Sequence, residues 1–493
     1  MNSKKEIPLW ARTGHAKPVT RREFMASGVI PFSGTLFAPS LLTLLANTAT
    51  AAETCDAAAG AAMIPFITIN LSGGPAMSAN TVVRTVAGNP LDSMTKLGLG
   101  SGEGRSFEPA VDFGGALFPG AAIGGGNAGL TVSKFYDGIL TPFNGGDTTT
   151  AREKTAYFNM PVSTGDDTGS NHLDVTGMIQ DMGLHGKQLP GLGTNDTPTG
   201  IGQLSAKMPC PAPFIVGSVS DLTNALGYST VVGSYKKSQH VAMAKLIADL
   251  SGDQARRLAS LPGAEQMKKL IECVGISNAA LINQGSGDVN PFTMANMYGA
   301  DLATIWGVTL NNPNLSSQGA VFGALVYNGL IGNAATVSLN ISGNDYHDNT
   351  RTNGDTKDGA NGAVVGKILK TAELLDKPCF IYVIADGNVT AEETGVVDNT
   401  TVWKSDGGNR SCAYCFYFNP RGRPVLISKT PHQIGGFTQG QVADQDFPTG
   451  ADPEIAAQAI VTNYAAANNK ISYLEEKRIL DSAIREQVLK VAV

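Results

Sequence analysis

The chain alternates short apolar, β-branched runs with longer segments of helical spacing. Met63 to Leu71, MIPFITINL, is almost wholly apolar and is stopped by Ser72-Gly73-Gly74-Pro75. A run of that length bounded by turn residues predicts a buried strand followed by a loop. Similar runs predict strands at 155–162, 214–219, 335–341, 379–385, 414–418 and 424–428. Apolar residues at helical spacing predict helices at 318–330, 364–375, 456–467 and 471–493, the last amphipathic through Leu474, Ile479 and Ile484. Residues 236–284 read as a helical insertion, with Ser251 placed to cap a helix. Residues 86–150 are rich in Gly, Ser, Thr and Asp and predict loops and short elements. Strands alternating with helices predict an α/β fold with a largely parallel central sheet flanked by helices.

The first 52 residues follow a different pattern. Every charge among them precedes Phe24, and from Phe24 to Ala52 there is none. A basic region, an apolar region and then small residues is the order of a secretory signal. Arg21 and Arg22, followed by Glu23 and Phe24, match the twin-arginine pattern, and Ala49-Thr50-Ala51 or Thr50-Ala51-Ala52 offers a cleavage box. Gly28, Pro31, Gly34 and Pro39 dilute the apolar stretch, so no stable membrane span is expected after cleavage. The expected partner during export is the twin-arginine translocase, and the expected location is the bacterial periplasm or beyond. That pathway carries folded passengers, often with cofactors bound, which raises the expectation of a metal or cofactor.

Composition narrows the class. Of the 493 residues 16% are charged and 42% are hydrophobic. That excludes a multi-span membrane protein and a wholly disordered chain. Removing residues 1–52 takes away six Lys or Arg and two Glu, which leaves 30 basic and 40 acidic residues and a net charge of −10. Nucleic-acid binders usually carry a basic face, so no nucleic-acid partner is expected. Gly124 to Gly129 fits GxGxxG literally but follows no strand, and a dinucleotide site is not expected. Cys412-Ala413-Tyr414-Cys415 is a CxxC that opens an apolar, aromatic run read as a strand, which favours structural thiols or a disulfide over redox catalysis. His185, His240 and His432 have no partner pattern and are expected in structural or surface roles.

In open α/β sheets ligands bind beyond the carboxyl ends of the strands. There the sequence places Asp345 and His347 after the strand at 335–341, and Asp386 after the strand at 379–385. It also places Thr168, Ser170 and His172 after the strand at 155–162, and Asp406 ahead of Tyr414. Carboxylates with imidazoles suit Zn, Mn or a similar divalent ion. The same Asp, Asn and Gly residues also serve simply as turn formers that end strands. The Asp-rich stretch Asp345–Asp358 is a further candidate for Ca²⁺, without regular EF-hand spacing.

The order of these segments resembles a twin-arginine-exported family, domain of unknown function 1501, sulfatase-like members of the alkaline phosphatase superfamily. The resemblance runs from the signal to about residue 470. It rests on Leu71-Ser72-Gly73-Gly74-Pro75 leading to Asn80-Thr81-Val82, on Ser170-Asn171-His172-Leu173-Asp174, on Asp345-Tyr346-His347, on Ala385-Asp386-Gly387 and on Asp406-Gly407-Gly408. It implies an alkaline-phosphatase-like domain over residues 53–493. It also implies two metals clamping a phosphate or sulfate ester, and an activated Ser or Thr at a helix N-terminus. Carried over by position, Asp345 and His347 stand as ligands of one metal, Asp386 as a ligand of the second, and Asp406 beside the last ligand position. His172 is a further candidate ligand. The chain departs from the pattern in three places. Pro75-Ala76-Met77 stands where the first loop should carry Asp, Asn171 where Ser is expected, and Gly407 where His is expected. Ser170 or Thr168 is left as nucleophile, out of register. One divalent ion (Zn, Mn or Ca) or none is the expected complement. The expected function is a binding or cell-envelope role on a degenerate metal site, with a metal-dependent phosphate- or sulfate-ester hydrolase as the alternative.

Overall fold

A computed structural model describes residues 63–89, 109–119, 133–143, 149–164, 171–182, 189–194, 213–225, 289–346, 351–397, 400–406, 408–427 and 432–492, with isolated positions between them. The strands are β1 (Phe66–Leu71), β2 (Pro109–Asp112), β3 (Ala116–Pro119), β4 (Thr155–Val162), β5 (Leu189–Thr194), β6 (Phe214–Val216), β7 (Ala334–Ile341), β8 (Cys379–Ala385), β9 (Val389–Val397), β10 (Thr400–Asp406) and β11 (Ser411–Phe418). The helices are α1 (Lys134–Leu140), α2 (Thr149–Glu153), α3 (Thr176–Asp181), α4 (Val219–Ala225), α5 (Gly299–Trp306), α6 (Gln318–Leu330), α7 (Arg351–Leu374), α8 (Pro448–Ala451), α9 (Pro453–Ala467), α10 (Ile471–Glu476) and α11 (Ser482–Val488). The chain divides into two compact units, one of Met1–Leu45 with Asn224–Gly285 and one of Ala46–Thr223 with Ser286–Val493. In the first, positions 239, 242, 245, 246, 249 and 256 are helical and exposed. The sheet and all that follows belong to the second.

The main sheet has seven strands in the order β4-β11-β8-β1-β7-β5-β6. Only β11 runs against its neighbours, β4 and β8; the other six strands share one direction. This is the α/β fold with a mostly parallel sheet that the alternating pattern predicts. β1 sits at the centre, paired with β7 on one side and β8 on the other, and all six of its residues are buried. A parallel strand covered on both faces needs such a continuous apolar run.

The two faces carry different covers. Phe66, Phe380, Tyr382, Tyr417, Cys415 and Phe158 share a core with residues of α3 and α9. Tyr464 of α9 stands edge-on to Phe66 and Phe380, with ring centroids 5.0 and 5.8 Å away. On the opposite face Phe135 of α1 meets Tyr414 at 5.4 Å, and Phe118 meets Tyr157 at 5.0 Å. α1 also lies directly on α7. A Cβ on Gly362 would strike the Phe135 carbonyl, and one on Gly138 would strike the Gly359 carbonyl. The glycines let two helix backbones approach more closely than side chains would permit.

Several elements differ from their expected bounds. The helix expected at 364–375 starts thirteen residues earlier, at Arg351, so the second half of the Asp345–Asp358 stretch is helical. The single closing helix at 471–493 is two helices, α10 and α11, because Arg478 and Leu480 adopt φ of 54° and 57°. Of the strand expected at 424–428, the described residues 424–427 form no sheet strand. Pro424 has no N–H to give, and the segment instead pairs with the C-terminal residues through Ile427 N to Lys490 O and Ala492 N to Val425 O. The strand expected at 214–219 stops at Val216, and α4 begins at Val219.

Candidate functional site

The parallel strands bring the ends of β1, β7 and β8 side by side, and the loop after β1 holds the other two. The Gly73 N–H donates to Asp386 Oδ1 at 2.7 Å. Gly387 N donates to Gly73 O at 3.2 Å, and Asn344 N donates to Ser72 O at 3.0 Å. Gly73 has φ +116°, and a Cβ there would lie 2.7 Å from Asp345 N and 2.8 Å from the Asn344 carbonyl carbon. Only a glycine meets both the backbone angle and the close approach. Gly73 is therefore the hub that sets Asp345 on one side and Asp386 on the other. Asp345 is exposed, whereas Asp386 is only 5% exposed.

Beside this hub lies a network of neutral side chains. Asn70 Nδ2 donates to Asn340 Oδ1 at 2.7 Å and to Ser72 Oγ at 3.2 Å, and Ser72 Oγ donates to the same Asn340 oxygen at 2.7 Å. Asn171 Nδ2 donates to Asn70 Oδ1 at 2.9 Å, which ties the segment before α3 to the end of β1. Asn340 N in turn donates to Thr194 Oγ1 at the end of β5, at 2.9 Å. Asn70 and Asn340 sit where apolar runs end and Asn171 lies in the turn before α3, and nothing in the sequence alone shows that the three meet. Strand register does, since Asn70 and Asn340 are lateral partners on β1 and β7. Asn388, two residues past Asp386, is 1% exposed, and neither its amide oxygen nor its amide nitrogen has a hydrogen-bond partner among the described residues.

The floor of the site is pinned from below. Tyr346 donates its hydroxyl to Asp358 Oδ1 at 2.7 Å, and burial pushes the phenol pKa up. Tyr414 of β11 donates to the Met77 carbonyl in the short 3-10 turn Met77–Ala79. Burial likewise raises the Tyr414 pKa.

Of the residues expected at the site, Asp345 and Asp386 are brought together around Gly73. His172 is half-buried in the turn next to Asn171. The backbone of Asp406 ends β10, paired with Val389. Thr168, Ser170 and His347 lie outside the described residues, as do Arg21, Arg22 and Phe24 of the expected signal and the GxGxxG run. Among the described residues no three His, Cys, Asp or Glu side chains group as metal ligands would.

The CxxC is settled by strand geometry. Cys412 and Cys415 both lie on β11, three residues apart, so they point to opposite faces with Cα atoms about 10 Å apart. A disulfide needs less than about 7 Å. Both are free buried thiols, as is Cys379, and burial raises all three pKa values, which keeps them protonated and inert. His432 fits its expected structural role, with Nδ1 3.0 Å from the Tyr157 carbonyl.

Comparison of the chain with protein-family models, with curated proteins and with solved structures finds no match. No described helix is long and apolar enough to cross a membrane.

Proposed function

We propose that the chain is an exported protein of the sulfatase-like, alkaline-phosphatase-superfamily kind whose metal centre is degenerate, and that it acts by binding in the cell envelope, on a glycan or a protein surface. One observation carries the proposal: Asp386, the buried carboxylate at the strand ends, is engaged by the Gly73 backbone N–H, and the neutral side chains of Asn70, Ser72, Asn171 and Asn340 beside it bond to one another. Asn171 stands where the resemblance expects a Ser, and its amide is spent on Asn70. The described donors do not fit a two-metal clamp, which needs several carboxylates and imidazoles around each ion. The fold can persist without the catalysis, since fold and chemistry are separable.

The hydrolase alternative keeps one point in its favour: Asp345 and Asp386 flank Gly73 as two ligand-bearing loops would. Assays of the purified exported protein with aryl phosphates and aryl sulfates, with Zn²⁺ or Mn²⁺ supplied, separate the two. The binding reading expects no turnover above buffer, together with saturable binding to a glycan panel. Turnover that Asp345→Ala and Asp386→Ala abolish overturns it. For export, replacing Arg21 and Arg22 by Lys is expected to retain the precursor in the cytoplasm. Normal export of that variant refutes the twin-arginine route.

A further inference from the structure

Away from the strand ends, α5 and α7 border a cavity of about 710 Å³, with Thr141 and Pro142 as a third wall. Cavities of about 300–1,000 Å³ hold small organic ligands. α7 carries the chain from the end of β7 back to the start of β8, so its last turns lie at the opposite edge of the sheet from Gly73. Lys367, which lines the cavity, stands about 24 Å along the helix axis from Arg351. The walls are held by close contacts. A Cβ on Gly366 would strike the Ile139 carbonyl and lie 3.0 Å from Pro142 Cδ, so the 141–142 segment rests directly on α7. Trp306 of α5 donates its indole N–H to Thr371 Oγ1 of α7 at 3.0 Å. The lining residues Lys367, Lys370 and Leu374 follow one another at helical spacing on α7, as Asp301, Thr304 and Ile305 do on α5.

The charges along these walls are unevenly paired. Lys370 Nζ lies 3.8 Å from Glu373 Oε2 and 5.2 Å from the centre of the Phe143 ring. Asp301 is exposed in the first turn of α5, where the helix dipole favours a carboxylate. Lys367 has no carboxylate partner among the described residues; its ammonium stands over the Trp306 ring, 5.8 Å from the centroid. The side chain is half-buried, and burial alone lowers its pKa. A cation drawn out of water without a counter-charge is costly, and an anion entering the cavity supplies one. The Thr141 and Thr304 hydroxyls donate to Asp137 O and Ala300 O. Among the lining side chains Lys367 is therefore the donor without a protein acceptor.

We propose that this cavity binds a small organic anion, with its acidic head on Lys367 and its apolar body against Pro142, Ile305 and Leu374. The apolar walls supply burial and the single unpaired ammonium fixes the orientation, as one placed polar group does in most small-ligand sites. The site is separate from the strand ends around Gly73, and its existence does not depend on how they are read.

The test is fluorescence titration of the purified full chain with anilinonaphthalene sulfonate, and with phenylnaphthylamine, which has the same rings without the sulfonate. Saturable binding of the sulfonate probe is expected, weakened about tenfold or more by Lys367→Gln and kept by Lys367→Arg, which retains the charge. Phenylnaphthylamine is expected to bind more weakly, and alike to the parent and to Lys367→Gln. No saturable binding of the sulfonate probe, or binding that Lys367→Gln leaves unchanged, overturns the proposal. So does a sulfonate probe that binds no more tightly than phenylnaphthylamine. Amine acetylation of the parent, read by peptide mass spectrometry, carries the test if Lys367→Gln does not fold. The bound sulfonate probe should slow acetylation of Lys367 and leave that of the exposed Lys477 unchanged. Equal rates at Lys367 with and without the probe overturn the placement.

Discussion

Gly73 is the point at which the candidate site is most exposed to test. Replacing it by Ala imposes two separable costs. The first is conformational: an L-residue held at φ +116° costs about 1–2 kcal/mol. The second is steric. The new Cβ meets Asp345 N at 2.7 Å and the Asn344 carbonyl carbon at 2.8 Å, and both are backbone atoms that cannot rotate away. Overpacking of that kind costs about 1–3 kcal/mol. The sum, about 2–5 kcal/mol, is a large part of the roughly 5–15 kcal/mol that holds a typical domain together. Gly343 supplies the control. It lies in the adjoining loop at φ +79°, with nothing within 4 Å of the position its Cβ would take. Gly343→Ala should show the conformational cost alone. Urea unfolding of the two variants against the parent gives both numbers. Gly73→Ala is expected to lose about 1–3 kcal/mol more than Gly343→Ala. Equal losses would mean that the β1 loop does not rest on Asn344 and Asp345, and the geometry that brings Asp345 and Asp386 together would fail with it.

Asp386→Ala, which leaves the Gly73 N–H without its charged acceptor, should cost about 1.5–3 kcal/mol in the same assay, and Asp386→Asn, which keeps an acceptor oxygen, less than half of that. Cys379, Cys412 and Cys415 should resist alkylation in the folded protein and react fully in denaturant, read by peptide mass spectrometry; a disulfide between Cys412 and Cys415 would contradict the strand register. Lys490 is 2% exposed, and burial lowers its pKa to about 8. Between pH 8 and the unfolded value near 10.5 the unfolded chain holds a proton that the folded chain has released, so stability should rise with pH across that window. Lys490→Met should flatten the rise, as followed by unfolding midpoints at pH 7.5, 8.5 and 9.5, and an unchanged slope would contradict the assignment.

The strands β1, β4, β7 and β8 are legible in the sequence because buried strands need largely apolar runs, and turn residues end each one. α6 is equally plain, with Ser317 as its cap and a buried residue at nearly every position. The first half of α7 is not, for a physical reason. Gly354, Gly359, Gly362 and Asn361 are poor helix formers, and the helix stands there because α1 packs on its glycines. β5, LPGLGT, hides behind a Pro and two glycines, and is a strand because β7 offers it an edge. The β9–β10 hairpin lies in a stretch of mixed polar residues with no alternation to follow. At the site, the carboxylates Asp345 and Asp386 are visible in the sequence because they follow strands. The amides of Asn70, Asn171 and Asn340 are not, because only strand register and the turn before α3 bring three distant positions together.

We hold the strand ends around Gly73 to be a binding surface and not a two-metal hydrolytic centre. Elemental analysis of the folded, exported protein tests it most directly, after exchange into metal-free buffer. At most one divalent ion per chain is expected, weakly held and lost on that exchange. Two equivalents of Zn or Mn per chain, retained through the exchange and released by Asp345→Ala and Asp386→Ala, would contradict it.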